Sequence, residues 1–434
     1  MGPSDAHPAG PAAPPREDIP LRFAVNHMGA RMHYAVPALL EQAGMLQAFY
    51  TDIVGDQGVV GLLDHVIPHK LRSRPMRRLF GRKVPVEVPD HKVRTLPGQA
   101  LSSFALSRLP PPLRPHFPHG KVESQLRRRI LRDGFAGANA FYSVDNGDLP
   151  LISEARRRGM FVVYEQVICA DVGRIMRQER DLFPGLEPQD SEEIVENGIR
   201  RDLEVWSLSD LVIVASQFVA EGLVALGCAP EKIAVVPYGL DMSWLGVEAR
   251  PYPRRVLFVG TVGLRKGSHY LAEAYRLLKG RGVEAEFRVV GPESVPGITQ
   301  APPFRGPSYV GQVPRASVRR EFAEGDVFVF PTLAESSALT HLEALAMGLP
   351  VITTSHCGSV VEDGVSGFIV PLRDAETLAD RIVRVIGDRP LRERMSHEAR
   401  KRAAQYSWKQ YGEGLVAAIV EAYERKKRAS VRAI

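Results

Sequence analysis

Residues 331–354 read PTLAESSALTHLEALAMGLPVITT. The apolar run 327–330 before them has the look of a strand buried on both faces, closed by Pro331. A loop follows, then a helix expected over 338–347, stopped by Gly348 with Pro350 two residues on. Ser336 or Ser337 is expected to cap that helix. Its first turn carries backbone amides with no partner inside the helix, and the dipole adds positive potential there. Glu335 stands in the loop just before this anion site. Glu343 follows one and a half turns into the helix, a second carboxylate able to accept bonds from hydroxyl groups. By spacing alone, an ordinary strand–helix unit with two solvated glutamates would look the same.

A second segment, 256–271, reads VLFVGTVGLRKGSHYL. A buried strand runs into a loop of small residues carrying Arg265 and Lys266, and a helix is expected from Ser268. Small residues let backbone approach a ligand closely, and neighbouring cations neutralise a diphosphate. A tight turn with exposed basic residues is the plainer alternative. The loop is neither a Walker P-loop nor a GxGxxG fingerprint.

The same alternation extends outward. Short Val/Ile/Phe-rich runs at 21–25, 140–144, 161–164, 211–215 and 233–237 form one set of expected strands. Runs at 256–260, 287–291, 327–331, 350–354 and 368–370 form another. Helical patterns fall between them, at 31–43, 149–158, 217–226, 268–279 and 375–386. Strands apolar at successive positions and alternating with helices imply parallel sheets. The fold class expected is therefore α/β, with two doubly wound Rossmann-like domains facing across a cleft. Residues 1–18, rich in Pro and Ala, read as a disordered leader with no apolar core for a secretory signal. Residues 19–241 read as an N-terminal domain, 242–254 as a linker, and 255–403 as a C-terminal domain. A C-terminal helix at 404–434 is expected to pack back on the first domain.

Several motifs, in order, resemble the retaining nucleotide-sugar glycosyltransferases of glycosyltransferase family 4, which have the GT-B fold. They are the E-x7-E element from Glu335 to Glu343, the tail EALAMGLPVITT, the FVGxxxxRKG loop, and EDGVSGFIVPLRDAETLADRI at 362–382. The segment at 209–241, SDLVIVASQFVAEGLVALGCAPEKIAVVPYGLD, is similar to the family's inter-domain stretch. The resemblance covers about 205–390. It implies that the first domain binds an acceptor and the second a nucleotide-sugar donor. Arg265 and Lys266 would hold the diphosphate and offset charge on the departing nucleotide, a task that needs no metal and no cofactor. Glu335 would contact the transferred sugar. Gly260, Thr261 and Gly263 would line the phosphate loop, and the amides of Ser337, Ala338 and Leu339 would meet the phosphates. Glu343 would hold the ribose, and Gly311, Gln312 and Val313 would line the base pocket.

The sequence departs from the family in three places. Gly260-Thr261-Val262 stands where the family has Gly-Arg-Leu, so Arg265 is expected to substitute for the missing cation. SHCGSVVEDG replaces the frequent Gly-Gly-x-Pro-Glu. The strand 161–164 ends in Glu165 and Gln166, where many members carry a His. Glu165 is therefore the candidate for accepting the acceptor hydroxyl's proton. Further acceptor candidates are His27, Gly29, Arg31 and His33 after the first strand, and Asp145 and Asn146 after the strand at 140–144. For the last two, turn formation and helix capping is the alternative.

The chain has 434 residues and a formal net charge of +6, but the charge is uneven. Residues 61–135 hold 16 Lys/Arg against 5 Asp/Glu, and the remainder holds 40 against 45. The stretch 70–83, KLRSRPMRRLFGRK, interleaves seven cations with Leu, Met and Phe, and LRRRILR at 126–132 repeats the theme. An anionic membrane surface is the expected partner of such a stretch, with a solvated charged face as the alternative. No nucleic-acid module is recognisable. Three scattered cysteines exclude a disulfide scaffold and suit a reducing, cytoplasmic compartment, at the inner face of the cell membrane if the basic stretch binds lipid. The expected function is sugar transfer with retained configuration to a hydroxyl of a glycan, lipid-linked or small-molecule acceptor. The alternatives are a non-catalytic sugar-nucleotide binding protein, or a nucleotide-sugar hydrolase or epimerase on the same fold.

Overall fold

The computed structural model describes residues 20–29, 31–68, 71–72, 74–96, 119–144, 148–358 and 360–432. The expected leader at 1–18 lies outside them. Thirteen strands are present among the described residues, in two sheets. The first sheet has the order β3-β2-β1-β4-β5-β6-β7, built from β1 (Phe23–Asn26), β2 (Leu46–Tyr50), β3 (Val93–Arg94), β4 (Ala140–Ser143), β5 (Phe161–Gln166), β6 (Leu211–Val214) and β7 (Ile233–Val235). The second has the order β10-β9-β8-β11-β12-β13, from β8 (Arg255–Val259), β9 (Glu286–Val290), β10 (Ser308–Gly311), β11 (Val327–Phe330), β12 (Val351–Thr354) and β13 (Gly367–Val370). Every neighbouring pair of the second sheet is parallel.

Ten of these strands were expected. β2, β3 and β10 were not, because none is a continuous apolar run. β2 is interrupted by exposed Gln47, β3 has two residues, and β10 is a half-exposed edge strand. Most of the other strands are buried along nearly their whole length, as doubly covered parallel strands must be, whereas edge strand β7 is half-buried to exposed.

The helix expected at 31–43 is divided into a 3-10 turn, Arg31–Tyr34, and an α-helix, Ala35–Gln42, with Tyr34 between them at a φ of 58°. The C-terminal helix expected at 404–434 runs Trp408–Arg432. By packing, the chain forms two units. One comprises Met1–Phe141, Arg158–Phe161 and Gly412–Ile434, and the other Tyr142–Arg157 and Val162–Tyr411.

The second sheet's order positions the site. β8 lies between β9 and β11, so the chain reverses its direction of winding there. Ligands of doubly wound sheets bind at the carboxyl ends of the strands at such a switch point. The loops leaving β8 and β11 are the two segments singled out above. They start side by side because β8 and β11 are paired, Val256 with Val327 and Leu257 with Phe328.

The helix Ser268–Gly280, which follows the β8 loop, is anchored near its start by Glu179. This carboxylate is fully buried and accepts from His269 Nε2 at 2.8 Å, Tyr270 Oη at 2.8 Å and Arg373 Nε at 2.6 Å. Burial opposes ionisation, and the three donors outweigh it, holding Glu179 below its ordinary value. Glu179→Ala would leave buried His269 and Tyr270 without their acceptor and take one partner from half-buried Arg373. A loss of about 2–4 kcal/mol is expected, the cost of leaving two buried donors unsatisfied, measured by urea denaturation.

Candidate active site

The β8 loop closes at Gly267, where φ is 66° and a Cβ would fall 1.8 Å from the Pro331 carbonyl oxygen. Only glycine fits so close to the neighbouring loop. The backbones of the two loops are also joined. Arg265 O accepts from Leu333 N–H at 2.9 Å and from Thr332 Oγ1 at 3.0 Å. Thr354 Oγ1 in turn donates to Thr332 O at 2.6 Å.

This scaffold brings Arg265, Lys266 and Glu335 to one point. Arg265 Nη1 and Lys266 Nζ both donate to Glu335 Oε1, and Arg265 Nη1 also donates to Ala334 O at 2.9 Å. Lys266 Nζ lies 5.0 Å from the centre of the Phe330 ring. The Lys266 and Glu335 side chains are 15% and 14% exposed and that of Arg265 35%, so the cluster is partly dry with its arginine edge in solvent. Burial pushes the Lys266 ammonium down, and Glu335 opposes that shift. Glu335 N–H donates to His356 O at 2.9 Å, which fixes the carboxylate's base.

The helix beside it runs Leu339–Ala346, one residue shorter at each end than expected. The expected serine cap is a correction: the N-cap is Ala338, and among the described residues no side chain caps the first turn. Ser336 is instead pinned through its carbonyl, which accepts from Ser216 Oγ at 2.7 Å, while its own buried hydroxyl has no partner among the described residues. Ser337, Ala338 and Leu339 therefore stand at a helix start whose amides no side chain has claimed.

Glu343 is the fifth residue of this helix. Burial pushes its carboxyl up to about 7, against the pull of Arg315 and Arg319. Beneath Lys266, His341 is buried edge-on against Phe330, and burial followed by the Lys266 charge pushes it down to about 3. It is therefore neutral and adds no third cation. No reading of the sequence singled out His341, since its place in an apolar helix pattern marks core.

The remaining expected donor residues are dispersed. Gly260 is fixed by its N–H to Val290 O at 2.9 Å, with Gly291 packed against its carbonyl. Thr261 is half-buried and Gly263 buried in the same loop. Gly311, with a φ of 75°, ends edge strand β10, and exposed Gln312 and half-buried Val313 follow it.

Among the acceptor candidates, Glu165 is 1% exposed. Its oxygens accept from Tyr142 at 2.7 Å and Tyr411 at 3.4 Å, in a buried phenol cluster. Gln166 is equally engaged, with Trp206 Nε1 at 3.1 Å. In the other unit His27 is buried edge-on to Tyr34, and the Gly29 N–H donates to Asp52 Oδ1 at 3.0 Å. Asp52, which also takes Arg82 at 2.6 Å, had no sequence signal, because it follows the unexpected strand β2. Arg31 and His33 lie in the 3-10 turn. Asp145 and Asn146 lie outside the described residues.

The basic stretch is partly consumed by the fold. Arg72 pairs with Asp64 at 2.7 Å and covers the Phe80 ring, and Arg82 belongs to Asp52. Arg129 of the second run donates to Thr95 O at 2.7 Å. Arg77 and Lys83 are exposed, and Lys70 lies outside the described residues.

Residues 253–388 match the family described as glycosyl transferases group 1. The chain carries a glycosyltransferase group 1 domain. That domain is the second sheet with its helices, and it contains the Arg265–Lys266–Glu335 cluster. AmsK, the amylovoran biosynthesis glycosyltransferase of Erwinia amylovora, is 28% identical over 197 residues, 42% of this chain and 48% of AmsK. D-inositol 3-phosphate glycosyltransferase of Geodermatophilus obscurus is 31% identical over 239 residues, 48% of this chain and 51% of that enzyme. The chain thus spans about half the length of the curated relatives it matches. Two solved structures share the fold across almost the whole chain. HepE of Anabaena, crystallised with UDP and glucose, gives a TM-score of 0.61 at 15% identity, over 92% of this chain and 100% of HepE. Sucrose-phosphate synthase of Thermosynechococcus elongatus gives 0.63 at 16%, over 94% and 100%. The fold is GT-B, two α/β domains built on parallel sheets.

A raised carboxyl value in the folded state favours folding most where Glu343 is protonated in both states, below about 4.5, and that contribution is lost as pH rises through about 7. Glu343→Gln cannot ionise. Its stability relative to the unsubstituted chain is therefore expected to rise between pH 4.5 and 7 and then level off, as measured by denaturant titration across that range.

Proposed function

We propose that the chain is a retaining glycosyltransferase that moves a sugar from a nucleotide-diphosphate sugar to an acceptor hydroxyl, without a metal or other cofactor. The observation that carries this reading is the convergence of Arg265 and Lys266 on one carboxylate beside an uncapped helix start. Two cations in a partly dry site need an anion. Glu335 supplies one charge, whereas a diphosphate supplies two and can also take the amides of Ser337, Ala338 and Leu339. When the diphosphate takes over the cations, Glu335 is released toward the transferred sugar. Glu343, beyond the first turn, would hold the ribose.

The bond between the sugar's anomeric carbon and the phosphate oxygen breaks as charge builds on the nucleotide. Arg265, Lys266 and the helix start meet that charge where it develops. The acceptor oxygen bonds to the same face of the carbon, and its proton passes to the departing phosphate oxygen. No step is routed through Glu165, whose oxygens already serve Tyr142 and Tyr411.

The names of the relatives favour bacterial surface polysaccharide or glycoconjugate synthesis, with a glycan or lipid-linked acceptor. HepE, the fold neighbour crystallised with UDP and glucose, favours a UDP-sugar as the first donor to try. No helix among the described residues is long and apolar enough to cross a membrane. Attachment to an anionic membrane surface would rest on Arg77, Lys83 and their neighbours, since Arg72 and Arg82 are committed to aspartates.

Lys266→Ala and Glu335→Ala are each expected to lower turnover at least ~100-fold in a donor-consumption assay, the usual effect of losing one group that meets transition-state charge. Near-normal rates in either would sink the assignment. Binding of donor without turnover in the unsubstituted chain would favour a non-catalytic binder. EDTA is expected to leave the rate unchanged, and strict dependence on added divalent metal would refute the role given to the two cations.

A further inference from the structure

Glu187 lies in the turn between helices Val172–Leu182 and Glu192–Leu208, 77 residues before the loop it touches. Its side chain is 9% exposed. Oε1 accepts from the backbone N–H of Leu264 at 3.0 Å and from Ser294 Oγ at 2.6 Å. Gly263 closes against both groups: a Cβ there would lie 2.6 Å from Glu187 Oε1 and 2.4 Å from Ser294 Oγ. Arg180 stands 3.9 Å from the other carboxylate oxygen and is itself tied to Asp190 at 2.8 Å. The peptide so gripped joins Gly263 to Leu264, the residue immediately before Arg265 and Lys266. The loop is also held by Ser268 Oγ, which accepts from Gly263 N–H at 2.9 Å and donates to Gly263 O at 3.1 Å, by Leu264 O, which accepts from Gly267 N–H at 2.9 Å, and by the Arg265 carbonyl bonds described above, but Glu187 is the acceptor of the Leu264 N–H.

We propose that Glu187 is a positioning residue for the diphosphate loop. It accepts the Leu264 N–H and thereby fixes the direction in which Arg265 and Lys266 leave the backbone. The proposal rests on the reading of these two residues as donor-phosphate ligands. Glu187 touches neither cation, so its effect passes through the peptide. A buried N–H left without an acceptor drives its segment toward water. A loop with several orientations then pays an ordering cost each time a nucleotide binds.

The experiment compares the full chain with Glu187→Ala and Glu187→Gln, because a glutamine oxygen can still accept both bonds. Amide hydrogen exchange at Leu264 and calorimetric binding of UDP are measured on each. In Glu187→Ala, exchange at Leu264 is expected to quicken at least ~10-fold and UDP binding to weaken ~10-fold, the size of one buried hydrogen bond. In Glu187→Gln both are expected to stay within ~3-fold of the unsubstituted chain, and exchange in β8 is expected to be unchanged in either variant. Unchanged exchange at Leu264 in Glu187→Ala overturns the proposal, and so does unchanged UDP binding. Loss of cooperative unfolding in Glu187→Ala would make Glu187 a general fold residue and equally overturn it. If the unsubstituted chain binds no UDP, the nucleotide assignment fails, and Leu264 exchange alone decides whether Glu187 fixes the loop.

Discussion

Two cations share one carboxylate in a partly dry site, and much of the second unit serves that arrangement. Lys266 has lost much of its water, which disfavours its charge. Glu335 restores it. Arg265, with its edge in solvent and a second bond to Ala334 O, completes a cluster with one positive charge in excess of its own anion. Such a cluster is poised for a further anion, and the uncapped start of the Leu339–Ala346 helix adds positive potential next to it. His341, held neutral by burial beneath Lys266, keeps that excess from growing into a destabilising repulsion.

The supports around the cluster are backbone carbonyls and amides, threonine hydroxyls and two largely buried carboxylates. Thr332, Leu333 and Thr354 tie the β8 and β11 loops together through carbonyls. Gly267 allows the closest approach, and Glu179 secures the helix that follows.

Legibility in the sequence followed burial. Strands covered on both faces, such as FVF at 328–330 and VLFV at 256–259, announce themselves as unbroken apolar runs. Strand β2, with Gln47 exposed, and edge strand β10 do not, and Asp52, which holds the Gly29 N–H and Arg82, was missed along with β2. The cations of 70–83 read as one surface patch because their partners, Asp64 and Asp52, are distributed along the chain. Ser336 and Ser337 read as caps because they precede a helix. Yet Ser336 is turned by a bond from Ser216, which stands 120 residues away.

The sequence by itself determined the two-sheet α/β class, the pairing of a basic loop with an acidic one, and the carboxylate spacing from Glu335 to Glu343. These are local matters, since strand burial, glycine tolerance and helix periodicity are written in neighbouring residues. Only the tertiary structure decided that Arg265 and Lys266 meet the same oxygen of Glu335, that Glu165 is enclosed by Tyr142 and Tyr411, and that Glu187 grips the Leu264 peptide. Each joins groups tens to hundreds of residues apart. A hydrogen bond acts over about 3 Å, so its partners are chosen by the order in which strands assemble and not by spacing along the chain.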